Sequence, residues 1–145
     1  MSEWRTKVRF MKPTADDPAI RNPVNNIEME KIEIGGVRID RCAFTGAIWL
    51  DRGELGRLQA LSKEDKALLK EMDTQPEEGT RLGRPARGML TSPKSDKPLI
   101  VVRDEQQPHI EFEVCPETGG CYFDAGELSD LLEYTFVEKL RSIFR

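Results

Sequence analysis

The sequence predicts an α+β protein made of two similar units, each a β-hairpin followed by a helix. The main observation is an internal repeat: CAFTGAIWLDRGEL (42–55) and CPETGGCYFDAGEL (115–128) agree at seven of fourteen positions. Unrelated segments of average composition would agree at about one. Apolar residues alternate upstream of both copies, as in half-buried strands, and an acidic helix-start signal ends both copies.

The first hairpin is predicted around Gly35-Gly36. Ile32, Ile34, Val37 and Ile39 stand at alternate positions on either side of this pair. Two glycines supply the positive φ angles that a two-residue hairpin turn needs. We therefore expect two strands whose apolar side chains share one face.

The second hairpin follows the same plan with a longer turn. Residues 99–102 form its first predicted strand, and Ile110, Phe112 and Val114 form the inward face of the next. The predicted turn between these strands ends at Pro108.

A helix is predicted after each hairpin. Asp51 and Glu54 are expected to cap the first helix, and Asp124 and Glu127 the second. An acidic N-cap with a glutamate three residues later resembles a capping box, in which both side chains accept free backbone N–H groups. This structural role also explains the carboxylate pairs without any acid–base catalysis.

Other signals complete the helical segments. Trp49 and Tyr122 precede the predicted caps and are expected to pack each helix against its hairpin. Ser62 to Asp65 is a second helix start in the first unit, and residues 128–145 carry apolar side chains at helical spacing. That last helix is expected to pack within the chain.

The spacing of the repeat defines the organisation of the chain. Pro23 and Pro93 are 70 positions apart, whereas Cys42 and Cys115 are 73 apart, so the longer second turn holds three extra residues. A segment rich in proline, glycine and charge separates the units and is typical of a linker. The predicted divisions are an extension (1–20), a first unit (21–72), a linker (73–90) and a second unit (91–145).

Composition narrows the class of protein. A formal net charge of −4 argues against a protein that mainly coats nucleic acid. No apolar run approaches the length of a membrane span, and the first ten residues lack the core of a signal peptide. Three cysteines do not form a paired disulfide framework, so a cytoplasmic protein with reduced thiols is expected.

The repeats resemble a known family. The run from Asn22 to Leu55, with its ending WLDRGEL, is similar to the bacterial zinc-ribbon family named after transcription factor IIB. The pattern of that family is C-P-x-C, a hairpin, then C-x-x-C-G-G-x-W-L-D-x-G-E-L. The resemblance covers about residues 21–58 and 91–132, and it implies two tandem zinc-ribbon-like units.

The metal ligands of that family are mostly replaced in this chain. The equivalent positions are Asn22, Asn25, Cys42 and Thr45 in the first unit, and Ser92, Ser95, Cys115 and Thr118 in the second. Neutral amides and hydroxyls are poor zinc ligands beside thiolates, so no metal or other cofactor is expected. We expect side-chain hydrogen bonds to the turn backbone to have taken over the role of the metal.

Zinc could still bind at an unconventional site. Cys42, Cys115, Cys121 and the single histidine, His109, would form a Cys3His set if the two units packed face to face. The simpler interpretation is that the cysteines are small buried apolar residues.

The functional prediction is a non-enzymatic protein-interaction module, an adaptor or accessory factor of a larger assembly. Transcription enters only through the family resemblance. The sequence has no nucleophile–histidine–acid arrangement and no phosphate-binding glycine loop, so no small-molecule substrate is expected. The alternative is nucleic-acid binding through Arg81, Arg84 and Arg87 and the basic N-terminal segment from Trp4 to Phe10.

Overall fold

The computed structural model describes residues 3–76, 89–103 and 110–133 and is an α+β fold around one antiparallel sheet. Seven strands lie in the order β1-β2-β3-β4-β7-β6-β5. Their bounds are β1 Arg9–Met11, β2 Glu30–Ile34, β3 Val37–Arg41, β4 Ile48–Leu50, β5 Ile100–Arg103, β6 Glu111–Val114 and β7 Cys121–Phe123. The α+β class predicted from the sequence is therefore confirmed.

The first hairpin forms as the sequence predicts. Ile34 pairs with Val37 across the two-residue turn, where Gly35 and Gly36 have φ angles of 54° and 81°. Ile32 and Ile39 pair further along the hairpin and are both buried. Alternation therefore predicted both the strands and the buried face.

The second hairpin has a different burial pattern. Of the three residues predicted to face inward, Ile110 is buried, Phe112 is partly buried and packs against the same core as Ile32 and Ile39, and Val114 is partly buried. Glu113 between the last two is fully buried. Phe112 stacks on Phe123 with ring centroids 5.0 Å apart. The predicted inward face is therefore formed but buried only in part, and the burial of Glu113 shows that this end of the sheet buries parts of both its faces.

The helices lie on one face of the sheet. They are a 3-10 helix (Glu3–Thr6), α1 (Glu54–Gln59), α2 (Lys63–Met72) and a helical segment described over residues 127–133. Ser62 caps α2 by accepting the N–H of Asp65 at 3.1 Å, as its sequence predicts. None of the described helices has the length and apolar character needed to cross a membrane.

The predicted cap of α1 needs correction. The N-cap of α1 is Gly53, at φ 89°, and α1 has no side-chain cap. The Asp51 carboxylate binds the Trp49 indole and Lys94 instead, and only the Asp51 carbonyl accepts the Glu54 N–H, at 3.1 Å. Glu54 does accept the Asp51 N–H, at 2.5 Å, and Glu127 accepts the Asp124 N–H at 2.7 Å. In the first unit only the glutamate half of the predicted capping box is formed, because two further residues separate Asp51 from α1. In the second unit the glutamate half is present as predicted.

Two cores lie on opposite faces of the sheet. The helix face carries Ile32, Ile34, Val37, Ile39, Ile48, Leu50 and Phe123, packed against Trp4, Leu58, Leu69, Met72 and Leu128. The other face, called the turn face here, carries Ile20, Met29, Cys42, Ala47, Trp49, Leu90, Leu99, Cys115 and Tyr122. Trp49 and Tyr122 therefore point away from the helices that they were predicted to support. Neighbouring side chains on a strand point to opposite faces, so the flanking residues of β4 and β7 contact the helices instead.

Several predictions concern segments at the ends of these units. Asp73 and Leu90, assigned to the linker by composition, are buried and belong to the folded part of the chain. Arg81, Arg84, Arg87 and His109 lie outside the described residues, as does the segment 134–145 of the predicted last helix.

Candidate functional site

One turn geometry recurs at the four places where the resemblance predicts metal-binding turns. In each turn the first residue donates its N–H to the carbonyl five residues on and accepts the N–H four residues on. The first residues are Asn22, Cys42, Ser92 and Cys115, with N–H to carbonyl distances of 2.7–2.9 Å. The fifth residue always has a positive φ, between 59° and 78°, and is Asn26, Gly46, Asp96 or Gly119.

Side chains close these turns in the predicted way. Asn22 Oδ1 accepts the Val24 N–H at 3.0 Å, and Asn25 Oδ1 accepts the Ile27 N–H at 3.0 Å. Thr45 Oγ1 accepts the Ala47 N–H at 3.2 Å. Each acceptor therefore binds the N–H two residues further along the chain, the pattern of Asx and Ser/Thr turns.

The second unit repeats the pattern with hydroxyls. Ser92 Oγ accepts the Lys94 N–H at 3.2 Å, and Ser95 Oγ accepts the Lys97 N–H at 3.4 Å. Thr118 Oγ1 accepts the Gly120 N–H at 3.2 Å. The predicted hydrogen bonds between polar side chains and the turn backbone are thus present in both units.

Each pair of turns meets through its side chains. In the first polar cluster (Asn22, Asn25, Cys42, Thr45), Asn25 Nδ2 lies 3.5 Å from Cys42 Sγ and Asn22 Nδ2 lies 3.4 Å from Thr45 Oγ1. In the second polar cluster (Ser92, Ser95, Cys115, Thr118), Ser95 Oγ lies 3.3 Å from Cys115 Sγ. The structure therefore brings both predicted sets of residues together.

The two thiols have lowered pKa values. Burial raises the pKa of Cys115, but hydrogen bonds from Ser92, Ser95 and Thr118 outweigh burial and bring it to about 6. Burial also opposes ionisation of Cys42, and hydrogen bonds from Thr45, Asn25 and Asn22 lower its pKa below the ordinary value. Both sulfurs are nevertheless inaccessible to solvent.

Zinc does not fit these clusters. Tight structural zinc sites use four thiolate or imidazole ligands, whereas each cluster offers one thiol. The remaining oxygens are neutral, and they already accept backbone N–H groups. Zinc coordination by these oxygens would have to break those hydrogen bonds, and neutral oxygens bind zinc more weakly than thiolates do.

The unconventional zinc set is not assembled by the described residues. Cys42 and Cys115 lie in the core of the turn face, while Cys121 packs against the core of the helix face. Burial raises the pKa of Cys121 to about 11, so its thiol is a poor metal ligand. The sequence could not reveal this separation, because it depends on which face each strand presents.

The two units interlock at the turn face. β4 and β7 pair antiparallel with Trp49 opposite Tyr122, residues that hold the same position in the two repeats. The Tyr122 hydroxyl donates to Asn22 Oδ1 at 3.3 Å, and Lys94 Nζ lies 2.8 Å from Asp51 Oδ1. Asp51 also accepts the Trp49 indole N–H, at 3.1 Å. Residues of each unit thus support the turns of the other.

A buried ion-pair network on the turn face was not predicted. Lys31 Nζ lies 3.0 Å from Asp17 Oδ1 and 2.7 Å from Asp40 Oδ1, with Lys31 and Asp40 both almost fully buried. Asp17, Asp40 and Asp51 form the one cluster of metal-ligand groups found among the described residues. Three cations pair with this cluster: Lys31 with Asp17 and Asp40, Arg38 with Asp17, and Lys94 with Asp51. Alternation alone predicts that Lys31 is exposed, because its neighbour Ile32 faces the core; the structure buries Lys31 between Asp40 of the first hairpin and Asp17 of the N-terminal extension.

Comparison of the chain with protein-family models, curated proteins and solved structures found no match. The assignment of a function therefore depends on the geometry described above and on the residues of the repeat.

Proposed function

We propose that this protein is a non-enzymatic interaction module built from two zinc-ribbon-like units in which hydrogen bonds replace the metal. The observation that carries this proposal is the common role of the six non-cysteine residues of the two polar clusters. All six accept the N–H of the residue two positions further on. A scaffold that commits its polar groups to its own backbone has little left for catalysis.

An approximate twofold relationship between the units supports this interpretation. Across the β4–β7 pairing, Ile48 faces Phe123 and Leu50 faces Cys121. Equivalent residues of the two repeats are 73 positions apart, so Cys121 corresponds to Ile48 and Phe123 corresponds to Leu50. Ile48 therefore pairs with the equivalent of Leu50, and Leu50 pairs with the equivalent of Ile48. In symmetric dimers the same patch contacts itself in this way. We infer that the chain is a fused pair of similar units whose shared core provides the stability that metal provides in a single small ribbon.

The proposed biological role is that of an adaptor or accessory factor in a larger assembly such as the transcription apparatus. The transcription role rests on the family resemblance of the repeats. The docking role rests on the six non-cysteine side chains of the two clusters, which bind their own turns. We propose a cytoplasmic protein, bound to a protein partner without a small-molecule substrate.

Restoring the metal ligands tests the scaffold directly. The triple variant Asn22→Cys, Asn25→Cys, Thr45→Cys adds three thiols to Cys42 in the full-length chain. If the turns have zinc-ribbon geometry, the variant should bind about one zinc ion per chain and unfold at a higher temperature when zinc is added. Wild-type protein should show neither effect.

A matched control separates site geometry from general thiol binding. In the control, cysteines replace Ser2, Thr6 and Thr80, which belong to neither cluster, and this variant should not gain a zinc-dependent rise in unfolding temperature. The degenerate-site proposal fails if wild-type protein retains about one zinc ion per chain through dialysis, or if a chelator unfolds it.

Partner capture tests the docking role. Tagged protein expressed in its native cells should retain a stoichiometric protein partner after nuclease treatment, and the purified partner should rebind the purified chain. Binding that disappears with nuclease, depends steeply on salt and is lost on replacing Arg81, Arg84 and Arg87 would instead establish nucleic-acid binding.

A further inference from the structure

The outer edge of β5 is an unusual feature of this sheet. β5 is the last strand and pairs with β6, and no other strand among the described residues pairs with its opposite edge. Ile100 and Val102 of this strand are 53% and 37% exposed. An apolar edge strand with free backbone groups is a template for pairing with another strand.

The first unit shows what such an edge accepts. Ile32 of β2 is 70 positions before Val102, so β2 corresponds to β5 in the repeat. β1 pairs antiparallel with the outer edge of β2 and places Phe10 opposite Ile32. β1 belongs to the N-terminal extension, which has no counterpart in the second unit. The edge that β1 occupies in the first unit is therefore left unpaired by the described residues of the second.

The chemistry of the two edges differs in a way that specifies the occupant. Beside β1, Glu30 and Arg41 form a cross-strand pair, and Arg5 binds Glu30. The corresponding cross-strand pair beside β5 is Ile100 and Val114, which carry no charge. A strand that fits this edge must bring apolar side chains to the helix face.

We propose that the occupant is β5 of a second copy of this chain, paired antiparallel about Val101. In this register Val101 faces its own copy, and Ile100 of each chain faces Val102 of the other. Paired residues then lie on the same face of the sheet, as antiparallel pairing requires. The pairing buries the exposed apolar residues against each other and joins the two seven-stranded sheets into one.

Sedimentation tests the assembly. Wild-type protein should approach twice its mass of 16.5 kDa as its concentration is raised towards about 100 µM. Val102→Lys places a charge in the apolar contact and should shift the protein to monomer at the same concentration. Phe44→Lys adds the same charge at an exposed apolar residue in a turn of the first unit and should leave the dimer intact.

Cross-linking tests the register without disturbing the apolar residues. Val101→Cys should form a disulfide-linked dimer under mild oxidation, because facing Cβ atoms lie about 5 Å apart. Arg103→Cys should not, since the two copies of residue 103 would be displaced by about 14 Å along the strands. Wild-type protein treated with the same oxidant controls for its native thiols.

Three results would overturn the proposal. They are a monomeric wild-type protein over the full concentration range, a dimer that Val102→Lys leaves unchanged, and cross-linking at residue 103 without cross-linking at residue 101. None of these depends on whether the polar clusters bind metal, so this inference and the proposed function fail separately.

Discussion

The indole of Trp49 lies directly against the backbone of Gly120, so that a residue of the first unit fills the space left by a missing side chain in a turn of the second. The position equivalent to Gly120 in the first unit is Ala47, which is buried in the same core as Trp49 and Tyr122. The two repeats therefore differ at this position, and the larger of the two aromatic residues, Trp49, lies against the turn that has no side chain there.

A methyl group at residue 120 should destabilise the protein. The methyl group of Gly120→Ala would overlap the Trp49 ring, and we expect the free energy of unfolding, measured in urea, to fall by about 1–3 kcal/mol. Gly56→Ala is the matched control, because Gly56 lies in α1 with open space around it. It should stabilise the chain by about 0.5–1 kcal/mol. Equal effects of both substitutions would contradict the proposed contact.

Asp73 should link α2 to the helix of the second unit. Its buried carboxylate accepts the N–H groups of Gly126 and Ser129 at 2.9 and 2.8 Å, at the start of helical residues 127–133. Asp73→Ala leaves these N–H groups without their acceptor and should lower the free energy of unfolding, measured by heat or urea, by about 1–2 kcal/mol. Asp16→Ala, at an exposed position, is the control and should leave the free energy of unfolding unchanged. If Asp73→Ala also left it unchanged, water would have replaced the carboxylate.

Lys31 should stabilise the protein more strongly as pH rises. Desolvation raises the pKa of Asp40 to about 6 even beside Lys31, so Asp40 is protonated at low pH and charged at neutral pH. Lys31→Met leaves that buried charge unpaired and should cost about 3–5 kcal/mol at pH 8. The loss should become smaller towards pH 4. Urea unfolding at both pH values tests this, with the exposed Lys63→Met expected to be neutral throughout.

Glu54 should make the protein less stable at neutral than at mildly acidic pH. Burial, together with the charges of Asp51, Asp40 and Asp17, raises its pKa from 4.5 to about 7. The folded state then binds more protons than the unfolded state between these values, so the free energy of unfolding falls as pH rises from about 4.5 to 7.

The variant Glu54→Gln isolates this contribution. Glutamine keeps an oxygen that can accept the Asp51 N–H but cannot ionise. The variant should be more stable than wild type at pH 8, on the order of 1 kcal/mol after solvent screening, with a flatter pH profile. Glu64→Gln, at an exposed position of α2, should leave the profile unchanged. A wild-type profile that rises over this range would contradict the expected sign.

Local patterns in the sequence predicted much of the local structure. The Gly35-Gly36 hairpin and the Ser62 cap form because their residue types satisfy nearby backbone requirements. The polar clusters were located by the repeat and the family resemblance, and their short polar side chains predicted the hydrogen bonds that the structure contains. Asp51 was assigned wrongly as a cap, because its carboxylate binds Lys94 of the second unit and the indole N–H of Trp49.

The sequence by itself determined the α+β class, the strand and turn chemistry and the two sets of residues that form the polar clusters. These features depend on interactions over a few residues, or on a pattern that the chain repeats. The tertiary structure decided that β4 pairs with β7, that Lys31 is buried between Asp17 and Asp40, and that Asp73 caps a helix of the other unit. Each of these contacts joins segments that are distant in the sequence and carry no local sign of their partner. The β4–β7 pairing and the Asp73 contact exist only when the two units share one sheet, and the Lys31 contacts exist only when the N-terminal extension packs on the first hairpin.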